Sequence, residues 1–163
     1  MNNKKINKVA IIMVSQSDYS TMKYSKKILQ SFGIKCDMKI VSAHRTPKRM
    51  FEFAKNAETN NYSVIIAGAG GSAHLPGMVA SLTSIPVIGV PIESKKLKGM
   101  DSLLSIVQMP KGIPVGTVAI GKDGAINAGL YAVSIIGTQN KKVKNSLLKF
   151  RLKQSKSVKK KPK

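Results

Sequence analysis

The sequence has few aromatic, sulfhydryl or histidine side chains and no long apolar run. Its 163 residues include no Trp, four Phe and four Tyr, so we do not expect a surface that stacks the bases of single-stranded nucleic acid. The single cysteine, Cys36, excludes an intrachain disulfide and a CxxC zinc cluster and is typical of the reducing cytosol. The apolar run over 9–14, behind a basic start, is too short for a signal peptide and far below the roughly 20 residues that span a bilayer. We therefore expect a cytoplasmic protein with no membrane partner.

Acidic residues are also scarce, which limits the chemistry that the chain can carry out. The seven Asp and Glu residues are scattered, the two histidines are isolated along the chain and no HExxH motif occurs, so we predict no metal site. Neither a GxSxG nor a GxxxxGK(S/T) sequence occurs, which disfavours a serine-triad hydrolase and an enzyme that uses ATP. We accordingly predict no metal and no cofactor.

Basic residues outnumber acidic ones by a formal net charge of +21, but they are unevenly distributed. Residues 141–163 hold 11 basic residues and no acidic one, residues 1–8 hold three more, and the body between them carries only +7. Lys outnumbers Arg 25 to 3, whereas phosphate-recognising surfaces usually favour the bidentate guanidinium group. We interpret the charge as a solvated, Lys-rich C-terminal segment, such as an AT-rich genome favours, and predict no specific nucleic-acid partner. The alternative is a basic RNA-binding protein, whose salt-dependent affinity would survive removal of residues 141–163.

Short apolar runs alternate with helical patterns through residues 9–138. Five such strand–helix units predict an α/β domain with a mostly parallel sheet covered by helices on both faces. The predicted strands cover residues 9–14, 36–41, 64–67, 86–90 and 115–119. The predicted helices cover residues 18–32, 47–60, 75–82, 102–109, 125–136 and 141–153.

Two of these helices carry specific packing predictions. The residues of the second helix that we expect to face the sheet are Met50, Phe51, Ala54 and Ala57. The final helix has an apolar stripe at Val143, Leu147 and Phe150, which we expect to dock on a neighbouring subunit of a homo-oligomer. With no internal repeat and no long linker, the chain is predicted to be one domain over 1–154 followed by a flexible Lys-rich tail over 155–163.

Polar loops follow the first two predicted strands, at the sheet edge where α/β proteins bind ligands. The segment Ser15-Gln16-Ser17-Asp18 offers two hydroxyls and free N–H groups at a helix start, which suits a phosphate, and Asp18 suits a ribose hydroxyl. A plain Ser/Asp helix cap is the alternative. The segment Ser42-Ala43-His44-Arg45-Thr46-Pro47 supplies Arg45 for a phosphate and His44 for proton transfer near neutral pH.

The third predicted strand leads into a glycine-rich loop, Gly68-Ala69-Gly70-Gly71-Ser72-Ala73-His74-Leu75-Pro76-Gly77. Glycines let backbone N–H groups approach a ligand closely, and both histidines of the chain thus follow strands at one sheet edge. The loop also fits the dinucleotide pattern GxGxxG/A, with Glu93 about 20 residues further on. A nicotinamide-binding domain is the less favoured alternative, because the loop follows the third strand and Pro76 displaces the helix start. We favour a phosphorylated ligand and a proton-transfer reaction.

Four motifs together closely resemble the class I branch of the PurE family. They are Ser15-x-Ser17-Asp18, the Ser42 to Pro47 segment, the Ala67 to Gly77 segment and Ser105-Ile-Val-Gln-Met-Pro-x-Gly112-Ile-Pro-Val-Gly116, and the resemblance covers residues 9–138 in register. It implies a flavodoxin-like three-layer αβα sandwich with a five-stranded parallel sheet and an extra C-terminal helix. It further implies an octamer whose sites are shared between subunits.

The same resemblance implies a reaction in purine biosynthesis. A mutase of this branch moves a carboxylate from the exocyclic nitrogen of 5-(carboxyamino)imidazole ribonucleotide to C4 of the imidazole, without ATP or metal. The related carboxylase, which uses aminoimidazole ribonucleotide and free CO2, is the nearest alternative.

The resemblance also assigns roles to individual residues. Ser15, Ser17 and Arg45 would hold the phosphate, Asp18 would hold the ribose, and His44 would be the general acid and base. The residues implied to surround the base and the migrating carboxylate are Ser42, Gly70, Gly71, Ser72, His74 and Leu75. One position departs from the family pattern: Val14 stands where the family has Gly. We expect its side chain to crowd the phosphate loop or to exclude a positive φ.

Overall fold

The computed structural model of the chain describes residues 8–162; the basic lead-in over 1–7 and Lys163 lie outside the described residues. The strands are β1 (Lys8–Met13), β2 (Lys35–Ile40), β3 (Tyr62–Gly70), β4 (Val87–Ile92) and β5 (Gly116–Thr117). The helices are α1 (Tyr19–Ser31), α2 (Pro47–Lys55), α3 (Leu75–Ala80), α4 (Met100–Val107), α5 (Gly121–Gly137) and α6 (Lys141–Ser157). A 3-10 turn at Gln16–Asp18 leads into α1. No helix of this described stretch is long and apolar enough to cross a membrane.

The five strands form one parallel sheet in the order β2-β1-β3-β4-β5. In its central part, Ile11 of β1 lies beside Met38 of β2 and Ile66 of β3. This order is the flavodoxin-like one, whose strand order reverses between β1 and β3. The predicted α/β class, the five parallel strands and the flavodoxin-like topology are thus confirmed.

Helices cover both faces of the sheet, so its central strands are apolar on both sides. Along β1, Val9 and Ile11 belong to the core that packs under α1 and α5, whereas Ala10 and Ile12 belong to the core under α2, α3 and α4. This alternation follows from the two-residue period of a strand. It also explains why the strands appear in the sequence as continuous apolar runs. The three-layer αβα arrangement is confirmed.

The C-terminal helix α6 packs on its own chain. Val143 and Leu147 are buried in the same core as α5, and the Phe150 ring meets the Phe32 ring edge-on with centroids 5.7 Å apart. The expectation that this stripe docks on a neighbouring subunit is therefore wrong, because the core beneath α5 already supplies the partner. The helix also continues to Ser157, past the predicted domain boundary at residue 154.

Helix α2 differs from its prediction in length and in the face that it buries. It ends at Lys55, and Phe51 is 43% exposed whereas Phe53 is 8% exposed. Positions 50, 53, 54 and 57 share one face of a helix at 3.6 residues per turn, so Phe53 completes the buried stripe and Phe51 points away. The inward prediction holds for Met50, Ala54 and Ala57 and is wrong for Phe51.

Candidate functional site

The loop after β1 is closed by the buried carboxylate of Asp18. Its Oδ2 accepts the N–H groups of Val14 and Ser15, each at 3.1 Å, and its Oδ1 accepts the Ser17 hydroxyl at 3.3 Å. The hydroxyl oxygens of Ser15 and Ser17 lie 2.6 Å apart at the surface of the loop. Asp18 therefore acts as a cap that shapes the loop, and the two hydroxyls are the groups that a ligand would meet first.

Burial raises the pKa of the Asp18 carboxyl above its ordinary value, which makes its charged form more costly. The hydrogen bonds from Ser15, Ser17 and Val14 and the positive charge of Arg45 act in the opposite direction without cancelling the effect. The loop and Arg45 thus limit the rise in the pKa of Asp18 that burial causes.

Val14 fits this loop without an unusual backbone conformation. Among the described non-glycine residues a positive φ occurs at Asn61 and Lys98, and Val14 has none. Its side chain is half-buried against the core under α2 and α3, and its carbonyl accepts Nη2 of Arg45 at 3.4 Å. The expected conflict with a positive φ is therefore wrong, because the loop does not require one here.

The loop after β2 is held by Ser42 and Thr46. The Ser42 hydroxyl, in a residue only 4% exposed, accepts the N–H of Arg45 at 3.2 Å, and the Ser42 N–H donates to Oγ1 of Thr46 at 3.0 Å. Pro47 then begins α2, where a missing N–H costs nothing. These bonds place His44 and Arg45 on an exposed turn beside the first loop, so Ser42 shapes the turn from beneath.

The loop after β3 turns at Gly71, whose φ of +68° favours glycine. Its N–H donates to the Ser102 hydroxyl at 2.9 Å, and its carbonyl oxygen lies 3.3 Å from the Ser105 hydroxyl. Both serines belong to α4, so contacts from this helix fix the loop on its buried side. Beyond the turn, the His74 N–H donates to the Ser72 carbonyl at 2.8 Å.

The two histidines meet where these loops converge. Nε2 of His44 lies 2.8 Å from Nδ1 of His74, within hydrogen-bond distance, and both side chains reach the surface. Arg45 links the first loop to the second, the histidine pair links the second to the third, and Gly71 links the third to α4. The predicted residues therefore form one continuous edge of the sheet.

Two predicted site residues are present in this region but turned inward. Leu75 begins α3 and is 1% exposed, so its side chain belongs to the core and does not reach the surface of the loops. Ser42 uses its hydroxyl within the turn. Ser102, by contrast, was missed by sequence reasoning. Its signal is a serine on the same face of the helix as the buried Ile106, where a buried hydroxyl must find partners.

An open groove of about 700 Å³ lies elsewhere, between the β2 edge and α2. Its lining includes Ile40, Arg49, Glu52 and Asn56 and none of the predicted site residues. We place the site at the loops, because these bring together the hydroxyl, imidazole and guanidinium groups. Within residues 8–162, no cluster of three His, Cys, Asp or Glu side chains is positioned to hold a metal ion.

Comparison with known proteins shows the family of the chain. The sequence model of AIR carboxylase matches residues 8–157, which is almost the whole chain. The chain belongs to the AIR carboxylase family. Among its relatives, the N5-carboxyaminoimidazole ribonucleotide mutase of Aliivibrio fischeri is 56% identical over 151 residues, or 93% of this chain and 94% of that protein. The protein of the same name from Escherichia coli is 53% identical over 151 residues, covering 93% of this chain and 89% of its own length.

A solved structure of the family gives the same fold. The crystal structure of Treponema denticola PurE superposes with a TM-score of 0.84 at 27% identity and covers 92% of both chains. The resemblance to the PurE family drawn from the four motifs is thereby confirmed.

Proposed function

We propose that this chain is an N5-carboxyaminoimidazole ribonucleotide mutase, which converts 5-(carboxyamino)imidazole ribonucleotide to 4-carboxy-5-aminoimidazole ribonucleotide in purine biosynthesis. The observation that carries the proposal is the hydrogen-bonded pair of His44 and His74 between a hydroxyl-rich loop and a glycine loop. This pair supplies a proton-transfer group beside a place for a phosphate. Relatives more than half identical over most of the chain carry the mutase name, which supports the choice of substrate.

The substrate phosphate is assigned to the first two loops. The paired hydroxyls of Ser15 and Ser17 offer hydrogen bonds, and Arg45, which reaches back to the first loop, offers charge. The ribose is assigned to Asp18, whose acceptor oxygens lie at the same place. The base and its carboxylate then extend towards Gly70, Gly71, Ser72 and His74. The modest excess positive charge of the chain between its flanks suits such an anionic ligand.

The reaction needs one proton delivered and one removed, and His44 is assigned both steps. His44 gives a proton to the exocyclic nitrogen as the bond from that nitrogen to the carboxylate carbon breaks, which leaves CO2 and the free amine. C4 of the imidazole then attacks the CO2 carbon, and His44 takes the C4 proton, which restores its starting state. Because escaped CO2 ends productive transfer, the loops must also confine it.

The chain is also proposed to act as a homo-oligomer, an octamer by its family resemblance, through the outer face of α4. Met100, Leu104 and Val107 follow each other at helical spacing, and each is about half exposed in the single chain. Such an apolar stripe on a surface marks an interaction site. Sedimentation of a Leu104→Lys variant is expected to give a smaller species than the unmodified protein. An unchanged mass would contradict this use of the face.

The cytoplasm, where purine precursors are made, is the proposed location.

The decisive test is a mutase assay on the purified chain without ATP or added metal. We expect the carboxyamino ribonucleotide to be converted to the C4-carboxylated product, with no carboxylation of aminoimidazole ribonucleotide at ordinary bicarbonate concentration. Activity only with aminoimidazole ribonucleotide and CO2 would instead identify the related carboxylase. Activity with neither substrate would reject the proposal.

A further inference from the structure

Helix α4 touches the glycine loop through a serine that is completely buried. Ser102 is 0% exposed, and its hydroxyl makes two hydrogen bonds: it donates to the Ile92 carbonyl at 2.7 Å and accepts the Gly71 N–H at 2.9 Å. A serine hydroxyl has one hydrogen to donate. Ile92 takes that hydrogen, so the Ser102 oxygen is left as acceptor for Gly71.

The position of Ser102 is itself fixed. Its backbone N–H donates to Oδ1 of Asp101 at 2.9 Å, and the same oxygen accepts the Ser94 hydroxyl at 2.7 Å. The Ser94 hydroxyl oxygen in turn accepts the N–H of Gly99, the residue before α4. The hydroxyl that meets Gly71 therefore sits at the end of a connected network and not on a free side chain.

Ser105 makes a second, weaker contact with the same residue. Its hydroxyl donates to the Asp101 carbonyl at 2.7 Å and lies 3.3 Å from the Gly71 carbonyl, so the shorter bond takes most of its single hydrogen. Gly71 is thus held mainly at its N–H by Ser102, with a weaker contact from Ser105 at its carbonyl. Gly71 has the left-handed backbone described above, with φ of +68°.

We propose that Ser102 is a positioning residue for the reaction: it fixes the Gly71 turn and, through it, the His74 side chain that meets His44. This inference rests on the proposed mutase function. Because the Gly71 N–H is occupied by Ser102, Gly71 contributes orientation and not a free amide to the migrating carboxylate. Any backbone N–H that holds the CO2 must therefore come from a residue other than Gly71.

Loss of this positioning affects the step between the break of the nitrogen–carbon bond and the attack of C4 on CO2. A loosened turn leaves the phosphate loop intact but lets CO2 leave before C4 attacks it. The carboxyamino substrate then takes up one proton and is lost as aminoimidazole ribonucleotide plus CO2. A positioning defect therefore changes which product is formed and not only how fast the substrate is consumed.

The test compares Ser102→Ala with Ser25→Ala. Ser25 is a matched control because it is also 0% exposed and its hydroxyl also donates to a backbone carbonyl at 2.7 Å, that of Ala125 between α1 and α5. Both products are measured in each variant, and the decay of the substrate without enzyme is subtracted. For Ser102→Ala we expect kcat for the carboxylated product to fall about tenfold to a hundredfold, KM to change little and the share of aminoimidazole ribonucleotide to rise. Ser25→Ala is expected to keep the product ratio of the unmodified protein.

Equal product ratios in the two variants would overturn the inference, whatever their rates. Should Ser102→Ala not fold, Ser102→Cys decides the matter, because a thiol keeps the side chain in place but is a weak donor and a weak acceptor: a higher share of aminoimidazole ribonucleotide supports the inference and an unchanged share rejects it. Crystal structures of the variants provide a readout that does not depend on the substrate. We expect a displaced Gly71 turn and a longer His44–His74 distance in Ser102→Ala and not in Ser25→Ala. Loss of all mutase activity in the unmodified protein would instead reject the proposed function.

Discussion

Nε2 of His44 lies 2.8 Å from Nδ1 of His74, with the two rings nearly perpendicular at 88°. A hydrogen bond between two imidazoles requires a hydrogen on one nitrogen and a lone pair on the other, so the tautomers of the two rings must be complementary. Protons on both facing nitrogens would break the contact. The shared hydrogen therefore orients the ring of His44, which we propose as the acid and base, against the ring of His74.

Replacement of the first member of this pair should separate chemistry from binding. His44→Asn is expected to lower kcat by about a hundredfold to ten-thousandfold, the range that general acid–base catalysis contributes. Binding of the product, measured by calorimetry, is expected to persist because Ser15, Ser17 and Arg45 are untouched. Lost binding together with retained turnover would show that His44 is a ligand contact and not the acid and base.

The left-handed turn at Gly71 can be tested against a glycine with the same backbone. Gly71 and Gly33 both have φ of +68°, and a Cβ added at either position would meet no atom within 4 Å. Alanine at each is expected to cost about 1–2 kcal/mol of folding stability, the price of a left-handed L-residue. Only Gly71→Ala should also reduce mutase activity, because Gly33 lies at the end of α1, away from the loops. Equal activities of the two variants at a temperature where both are folded would argue against a role for the turn.

Val14 offers a test of the phosphate loop. Its backbone makes bonds to Asp18 and Arg45 that glycine would keep, and its φ is ordinary, so the side chain is the remaining difference from the family pattern. Val14→Gly is expected to lower KM for the ribonucleotide by opening the loop. In initial-rate measurements, the KM of Val14→Ala is expected to lie between that of Val14→Gly and that of the unmodified protein. A KM that is unchanged or higher in Val14→Gly would show that the side chain does not crowd the ligand.

The coupling of Asp18 to Arg45 predicts a change in titration. Burial raises the pKa of Asp18 from its ordinary value of 3.8, and the charge of Arg45 restrains that rise. Arg45→Gln should therefore raise the pKa further, which carbon NMR of labelled carboxyl groups can follow. Asp37 is the internal control: it lies near the amino ends of the strands, and hydrogen bonds from Lys8 and Tyr62 hold its pKa below the ordinary value. A shift of both carboxyls in the variant would indicate a global change and contradict the coupling.

The raised pKa of Asp18 determines whether its contribution to folding stability rises or falls with pH. Since the pKa of Asp18 is higher in the folded than in the unfolded chain, its stabilising contribution is complete below pH 3.8 and is lost as the pH rises through the folded value. Asp37 behaves oppositely: its contribution is present above pH 3.8 and is lost as the pH falls through its lower folded value. Denaturation of Asp18→Asn and Asp37→Asn over this pH range should therefore show differences of opposite slope.

The amino-acid sequence by itself determined the class of fold, the order of its elements and the three loops that form the candidate site. Apolar runs alternating with amphipathic segments require a parallel sheet, and parallel strands bring the loops that follow them to one edge. This placement was enough to select the phosphate loop at Ser15, the turn at Arg45 and both histidines. Local pattern decided these features because each depends on residues close together in the chain.

Only the tertiary structure decided which groups meet. His44 and His74 are separated by 30 positions and Gly71 and Ser102 by 31, and no local periodicity specifies either contact. The docking of α6 on its own chain, with Phe150 against Phe32, depends in the same way on the space left beside α5. Packing and the need of buried polar groups for hydrogen-bond partners select these long-range contacts. Both depend on the folded chain, so the contacts cannot be identified from local sequence patterns.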